Sequence, residues 1–378
     1  MSNDRPAEAF PPGEFLRDEL QARDWTQTDL AEILGRPVRV VNEIIAGKRA
    51  ITPETAKGLG DALNTSAEFW LNLESSFQLW RVRDHDDKVA RRARLYALAP
   101  VGDMIRRNWI TKTRDLDVLE REVLRFLEID SLDHEPNEIA HAAKKSTKEL
   151  TREQAAWIRR VRQLAPKVHA KRFTPDAGPE LVSRLHSLAK TPEGVREVAN
   201  VLADAGIRLL VIEHLPGTRI DGVCIWLDYD SPVIALSVRY DRIDCFWHTL
   251  MHELGHVSRR DGLKELPALD SDIVGERFES QDGRTQAERA ADDFAVDMLI
   301  PPGALTRFIR LNRPLYSAVK IQDFAASVGV HPGIVVGQLQ HRGEIPYSTL
   351  RRFLVAVRQL VASTTLTDGW GSVLPKSL

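Results

Sequence analysis

One pentapeptide, His252-Glu253-Leu254-Gly255-His256, constrains this chain more than any other stretch. The two histidines are four residues apart, slightly more than one helical turn, so a helix would place both imidazoles on one face. Two imidazoles placed in this way can bind one zinc ion. The glutamate follows the first histidine directly, where it can take a proton from water and pass it to a leaving amine. The spacing therefore predicts the centre of a zinc peptidase.

The residues around the pentapeptide favour the helix that such a site requires. Leu250, Leu254 and Val257 are apolar at helical spacing, which predicts one buried face. Chance alone produces the five-residue pattern in about two of every hundred chains of this composition. The motif by itself therefore leaves a second interpretation open, a core helix with two internally hydrogen-bonded histidines.

A catalytic zinc site needs a third protein ligand, which we expect on a downstream helix. We predict that Glu288 is this ligand. Asp292 lies one turn later on the same face and would accept a hydrogen bond from the far ring nitrogen of a ligating histidine. Pro301 and Pro302 would end the helix, and its apolar side recurs at helical spacing in Ala287, Ala291, Phe294, Ala295, Met298 and Leu299. An ordinary solvated acidic face is the alternative.

Two stretches, HTLMHELGHV and ERAADDFAVDMLIP, together resemble the ImmA/IrrE metallopeptidase family over about residues 190–345. The resemblance implies that His252, His256 and Glu288 bind the metal and that Glu253 is catalytic. Asp292 stands where the family often has asparagine. Zinc is the expected ion from the ligand types, with manganese as the alternative.

The sequence before the pentapeptide has a clear β signal. Apolar runs over 207–212, 223–227 and 233–238 predict strands, and Asp230-Ser231-Pro232 predicts the turn between the last two. We therefore predict an α+β, zincin-like domain over 176–345 with a small antiparallel sheet.

The sequence leaves two alternatives for each of two features of this domain. The acidic, glycine-containing segment 261–284 would form either a lip of a substrate cleft or a surface insert. His331 and His341 are candidates to stabilise the oxyanion that forms when water attacks a peptide carbonyl, and ordinary surface histidines are the alternative.

The amino-terminal part reads as two short helices joined by a tight turn at Gly35, which predicts a helix-turn-helix over 26–49. In the second helix Arg39 would reach guanine and Asn42 adenine. We predict a DNA-binding surface made by Gln27, Arg36, Arg39, Asn42, Glu43, Lys48 and Arg49, with the first and the last two nearer to phosphates. Acidic and basic residues balance between 11 and 60, so a helical pair used for protein contact is the alternative.

Residues 11–73, from PPGEFLRDEL to AEFWLNL, resemble the HigA-type antitoxins of the Xre repressor class. The resemblance implies that the module over 1–80 binds double-stranded operator DNA as a homodimer, represses its own operon and neutralises a partner toxin. Phe69, Trp70 and Leu73 would be core or dimer contacts, and we expect them in the core.

Composition bounds the remainder of the chain. With 52 basic and 54 acidic residues the formal charge is −2, so no global electrostatic signature points to nucleic acid or membrane. Two cysteines suggest a reducing compartment, and no apolar run approaches membrane-spanning length, so we expect a cytoplasmic protein without a membrane partner. Residues 81–175 predict a helical linker region, and 346–378 a helical segment and tail.

These observations predict a multidomain, mainly α protein. Its function would be that of a DNA-binding, antitoxin-like regulator fused to a zinc-dependent endopeptidase that cleaves a regulatory protein or itself. The alternative is a repressor without catalysis, whose zinc domain serves as a sensing or docking module.

Overall fold

The computed structural model describes residues 10–82, 88–134, 150–175, 178–263, 269–271 and 285–369. Its contacts divide the chain into two compact units, Met1–Val89 and Ala90–Leu378. The predicted linker region 81–175 is thus divided between the units, and most of it belongs to the larger one. Within the described residues, no helix is both long enough and apolar enough to cross a bilayer.

The smaller unit consists of helices joined by short turns. Thr26 caps the second helix by accepting from the backbone N–H of Asp29, whose side chain accepts from Thr26 in return. Gly35 has a φ of +60° in the turn that follows. Pro37 lies at the N-cap of the third helix. The helices are α1 (Pro12–Ala22), α2 (Gln27–Ile33), α3 (Val38–Ile45), α4 (Pro53–Leu63) and α5 (Ala67–Arg81).

A continuous apolar core holds this unit together, with Leu30, Leu59 and Trp70 fully buried. The Trp70 indole also donates to the Thr65 hydroxyl at 2.8 Å. Trp70 is therefore a core residue, as predicted. Phe69 is 42% exposed, so its placement in the core was wrong, because α5 turns that side chain away from the other helices.

Gly13 lets α1 pack directly on the end of α3. A Cβ added at Gly13 would lie 2.5 Å from the carbonyl oxygens of both Ile44 and Ile45, closer than any real contact of this kind. The packing of the unit therefore depends on a position without a side chain.

We predict that Gly13→Ala lowers the free energy of unfolding of the smaller unit by about 1–3 kcal/mol, the usual cost of overpacking. The matched control is Gly102→Ala, also at the second position of its helix, where an added Cβ meets nothing within 4 Å. Thermal and urea unfolding of the full-length variants measure both effects. Equal behaviour of the two variants would contradict the packing argument.

Helices form most of the larger unit, the first of them beginning just before the boundary. They are α6 (Lys88–Leu98), α7 (Val101–Arg106), α8 (Leu116–Leu127), α9 (Arg152–Leu164), α10 (Gly178–Leu188), α11 (Val198–Asp204), α12 (Ile243–Arg259), α13 (Gln286–Leu299), α14 (Ala304–Asn312), α15 (Ala318–Val328), α16 (Pro332–His341) and α17 (Arg358–Ala362). Short 3-10 helices lie at Ala165–Lys167, Pro192–Glu197 and Arg351–Phe353.

The sheet of the larger unit is mixed, so the predicted antiparallel sheet was wrong. Within the part of the chain that the structure describes, five strands lie in the order β4-β2-β3-β1-β5, and both neighbours of β1 run parallel to it. The predicted turn at 230–232 does join the antiparallel pair β2 and β3. The strands are β1 (Arg208–Ile212), β2 (Ile220–Trp226), β3 (Pro232–Leu236), β4 (Leu269–Ser271) and β5 (Leu366–Asp368).

Both faces of the sheet are buried. Leu210 and Val223, among others, pack with Trp157 and Ile158 of α9 on one face. The alternate strand residues pack on the opposite face with the core around α12. Burial on two sides explains the near-continuous apolar runs of the strands.

The carboxyl-terminal segment is part of this sheet. Residues 366–368, predicted within a helical segment and tail, form the edge strand β5, which pairs with β1 through Leu210, Val211 and Ile212. The short run has no periodicity of its own, and its strand conformation follows from the exposed edge of β1. Residues 370–378 lie outside the described residues.

Candidate metal centre and nucleic-acid interface

Helix α12 carries the pentapeptide through the centre of the larger unit. It packs against β2 and β3 on one side and against α13 and α16 on others. His252, Glu253 and His256 are consequently buried, with exposed fractions of 0%, 0% and 1%. Polar groups buried this deeply require partners.

The close approach of α13 to α12 depends on Gly255, the fourth residue of the pentapeptide. A Cβ added there would lie 3.3 Å from both the Cα of Ala291 and Cδ1 of Phe294, tighter than an ordinary contact. Helix α13 begins at Gln286, where the Thr285 hydroxyl accepts from the backbone N–H of Glu288. This cap places Glu288 in the first turn, beside α12.

Three electron-pair donors converge between the two helices. The Nε2 atoms of His252 and His256 are 3.2 Å apart, and Oε2 of Glu288 lies 3.4 Å and 3.8 Å from them. Tetrahedral ligands at zinc bond lengths of about 2.0–2.1 Å are separated by about 3.3–3.4 Å. The predicted trio thus has nearly the spacing that a single tetrahedral cation requires.

Carboxylates hold the outer nitrogens of both histidines. Nδ1 of His252 is 2.9 Å from Oδ1 of Asp292, the contact predicted for this residue. Nδ1 of His256 is 2.8 Å from Oδ2 of Asp261, a partner that the sequence analysis missed. Arg259 donates to the same Asp261 oxygen and to the carbonyl of Ala287, and so links the end of α12 to the start of α13.

A sequence signal for Asp261 exists in hindsight. The residue comes five positions after His256 and directly after Arg260, which ends α12 with a φ of 58°. Because the chain turns back at Arg260, the side chain of Asp261 lies beside the last turn of α12, which contains His256. Recognising the signal requires knowledge of where the helix ends.

The positions of the imidazole protons show why these three side chains fit a cation. An ionised carboxylate only accepts, so Nδ1 of each neutral histidine carries the proton. The two Nε2 lone pairs then face each other and the Glu288 carboxylate in a buried space. A divalent ion replaces this mutual repulsion with coordination, and imidazole plus carboxylate are ligands that suit zinc.

Glu253 lies under the sheet beside Gly222 of β2. A Cβ added at Gly222 would be 2.2 Å from Oε1 of Glu253 and 2.9 Å from Cγ2 of Thr249. The Glu253 carboxylate thus occupies the space that a side chain at this strand position would fill. A register shift between β2 and β4 lies at the same place, between Ile220 and Gly222.

The two oxyanion candidates lie at opposite ends of α16, which with ten residues is about 15 Å long. The His341 ring centroid is 6.2 Å from that of His248, and both residues line one small cavity with Tyr347. His331 instead caps the start of the helix, accepting from the Gly333 N–H at 3.0 Å, and burial lowers its pKa. Of these two candidates, His341 is the one that lies near a histidine of α12, namely His248.

Most of the predicted lip or insert over 261–284 lies outside the described residues. Of this segment the structure describes 261–263 and the strand at 269–271. That strand pairs antiparallel with β2 at the edge of the sheet.

The predicted DNA-binding residues lie on the surface of the smaller unit. Five are exposed and two are half-buried, the latter being Arg36 and Glu43. Arg36 pairs with Glu54 of α4 at 3.0 Å. Val41 and Ile44 occupy the opposite, buried side of α3. The structure thus presents the polar side of α3 outward, and the exposed set is Gln27, Arg39, Asn42, Lys48 and Arg49.

Known proteins match this smaller unit. A profile of the HTH_3 helix-turn-helix family matches residues 16–70. These residues are a helix-turn-helix domain. Helices α2 and α3, the two helices of the predicted helix-turn-helix over 26–49, both lie within the matched residues.

The helix-turn-helix domain has bacterial relatives. The uncharacterised HTH-type transcriptional regulator YbaQ of Escherichia coli K12 is 35% identical over 75 residues, which are 20% of this chain and 66% of that protein. Virulence-associated protein A of Dichelobacter nodosus is 44% identical over 64 residues, 16% of this chain and 63% of that protein. The chain spans under two thirds of the length of these relatives.

A solved structure of Pseudomonas aeruginosa antitoxin HigA with the higBA promoter is also similar, with 38% identity and a TM-score of 0.20. The match covers 20% of this chain and 83% of that one.

Proposed function

We propose that this chain is a DNA-binding transcriptional regulator of the antitoxin-like type, fused to a zinc-dependent endopeptidase that cleaves a regulatory protein or the chain itself. The observation that carries the peptidase half is the convergence of His252, His256 and Glu288 beside the buried Glu253. The resemblance of the two sequence stretches to the ImmA/IrrE family supports the same assignment.

The regulator half rests on the helix-turn-helix domain and its similarity to a transcriptional regulator. Its partner would be double-stranded operator DNA, bound by a homodimer formed through this domain. A toxin partner would follow from the likeness to HigA-type antitoxins. A cytoplasmic location suits both halves.

In the proposed reaction each residue of the centre has its own task. His252, His256 and Glu288 would hold zinc, which when bound polarises a peptide carbonyl and acidifies water. Asp292 and Asp261 keep the two imidazoles oriented through their Nδ1 protons. The Glu253 carboxylate takes a proton from the attacking water and delivers it to the leaving amine nitrogen.

We predict that the purified full-length protein binds one zinc ion and that His252→Ala weakens this binding by at least about tenfold, because one of three ligands is lost. Gly255→Val should weaken it as well, since a larger side chain pushes α13 and its Glu288 away. Zinc is measured by mass spectrometry after dialysis against a graded chelator. His331→Ala is the control and should keep the metal; equal affinity in all four proteins would refute the ligand assignment.

We predict that Glu253→Gln keeps zinc and lowers proteolysis by about 10²–10⁴-fold, the usual contribution of a general base. Gly222→Ala should do the same, because its Cβ displaces the Glu253 carboxylate without touching a ligand. New protein N-termini, including those of the chain itself, are quantified in cells that express each full-length variant.

Gly102→Ala, at an open helix position, is the control and should cleave as the natural chain does. Identical sets of new N-termini in the natural chain and Glu253→Gln would remove the peptidase and favour the sensing or docking module instead.

We predict that replacing Arg39 and Asn42 together by alanine abolishes sequence-specific DNA binding. Each bidentate base contact is worth about 1–3 kcal/mol of discrimination, so two losses return the affinity to the non-specific level. The probe is a duplex selected from random DNA by the natural chain, and binding is measured by fluorescence anisotropy. Arg17→Ala on α1 is the control for lost charge, and an unaltered preference in the double variant would refute the assignment of α3.

A further inference from the structure

Glu43 on α3 joins two of the arginines assigned to DNA. Its Oε1 accepts from Nε of Arg39 at 2.7 Å, and its Oε2 accepts from Nε of Arg49 at 2.8 Å. Arg39 is one helical turn earlier, whereas Arg49 lies in the turn after the helix. One carboxylate therefore ties together the helix and the segment that leaves it.

The backbone strengthens the same link. The carbonyl oxygen of Glu43 accepts from the N–H groups of Lys48 and Arg49, at 2.8 Å and 3.1 Å. The turn after α3 thus folds back onto Glu43 through both main chain and side chain. The side chains of Arg39 and Arg49 are 87% and 51% exposed, whereas the Glu43 side chain is only 22% exposed.

The charge balance of this cluster matters for DNA. A glutamate is ionised at neutral pH, and the hydrogen bonds from Arg49 and Arg39 lower the pKa of Glu43 further. The three side chains together carry one positive charge instead of two. Non-specific binding depends chiefly on the number of phosphates that are neutralised, so this carboxylate weakens it.

We propose that Glu43 is the positioning residue that sets DNA discrimination in this domain: it holds Arg39 and Arg49 in one geometry and cancels part of their charge. The inference rests on the proposed DNA binding and deepens it. A prepositioned arginine loses less side-chain entropy when it meets a guanine edge. An arginine released from Glu43 can follow any phosphate.

Glu43→Gln should therefore act differently on two kinds of duplex. Affinity for the selected duplex should fall or stay level, whereas affinity for a shuffled duplex should rise, so that their ratio drops about tenfold, the value of one well-made base contact. The slope of log affinity against log salt on shuffled DNA should steepen by about one to two phosphate contacts.

Two further variants separate geometry from charge. Glu43→Asp keeps the charge but is one methylene shorter, so it cannot reach both arginines at once, and the ratio should fall while the salt slope stays near that of the natural chain. Glu68→Gln makes the same charge change as Glu43→Gln at an exposed position in the first turn of α5, away from the arginines assigned to DNA. It should leave the ratio within about twofold of the natural value, as expected for the loss of one exposed charge.

The experiment uses full-length protein and two duplexes, one selected from random DNA by the natural chain and one of shuffled sequence. Circular dichroism of each variant checks the fold. If the natural chain selects no sequence, the proposed DNA binding itself fails. If it selects one, three results would overturn the role of Glu43 alone: an equal change in Glu68→Gln, an equal loss on both duplexes, or a changed preference at one base pair, which marks direct contact with cytosine.

Discussion

The contact between α12 and α13 is the constraint on which the candidate metal centre depends. The contact is tight at Gly255, where a Cβ would lie 3.3 Å from Ala291 and Phe294. It brings Glu288 to His252 and His256, and Asp292 to the outer nitrogen of His252. The packing of these two helices therefore determines whether four residues can act together.

In both units, carboxylates orient nitrogen-containing side chains by accepting hydrogen bonds from them. In the larger unit Asp292 and Asp261 accept from the two imidazoles, so that the Nε2 lone pairs face the space shared with Glu288. In the smaller unit Glu43 accepts from two guanidinium groups. The buried case favours a cation, because the two imidazoles are buried and their Nε2 atoms lie 3.2 Å apart beside the Glu288 carboxylate, whereas the exposed case only orients and neutralises.

Elements that depend on local sequence could be predicted, whereas elements that depend on distant partners could not. The helices α12 and α13 and the pair β2–β3 follow from local periodicity and turn residues. The parallel neighbours of β1 do not, because strand order depends on which edges the intervening helices leave open. Leu366–Asp368 is the clearest case, a three-residue strand whose conformation is induced by its neighbour. Asp261 was missed for a related reason, since its role depends on where α12 ends.

By itself the sequence determined the chemical inventory of this protein: two histidines one turn apart, an acid between them, a second acidic helix, and a helix-turn-helix. Residue spacing along a helix has a fixed geometry, so these predictions needed no tertiary information. Only the tertiary structure decided that Glu288 comes within 3.4 Å of His252, that Gly222 makes room for Glu253, and that Glu43 joins two arginines. Those distances depend on how separate elements pack, and packing is set by the shape of the whole core.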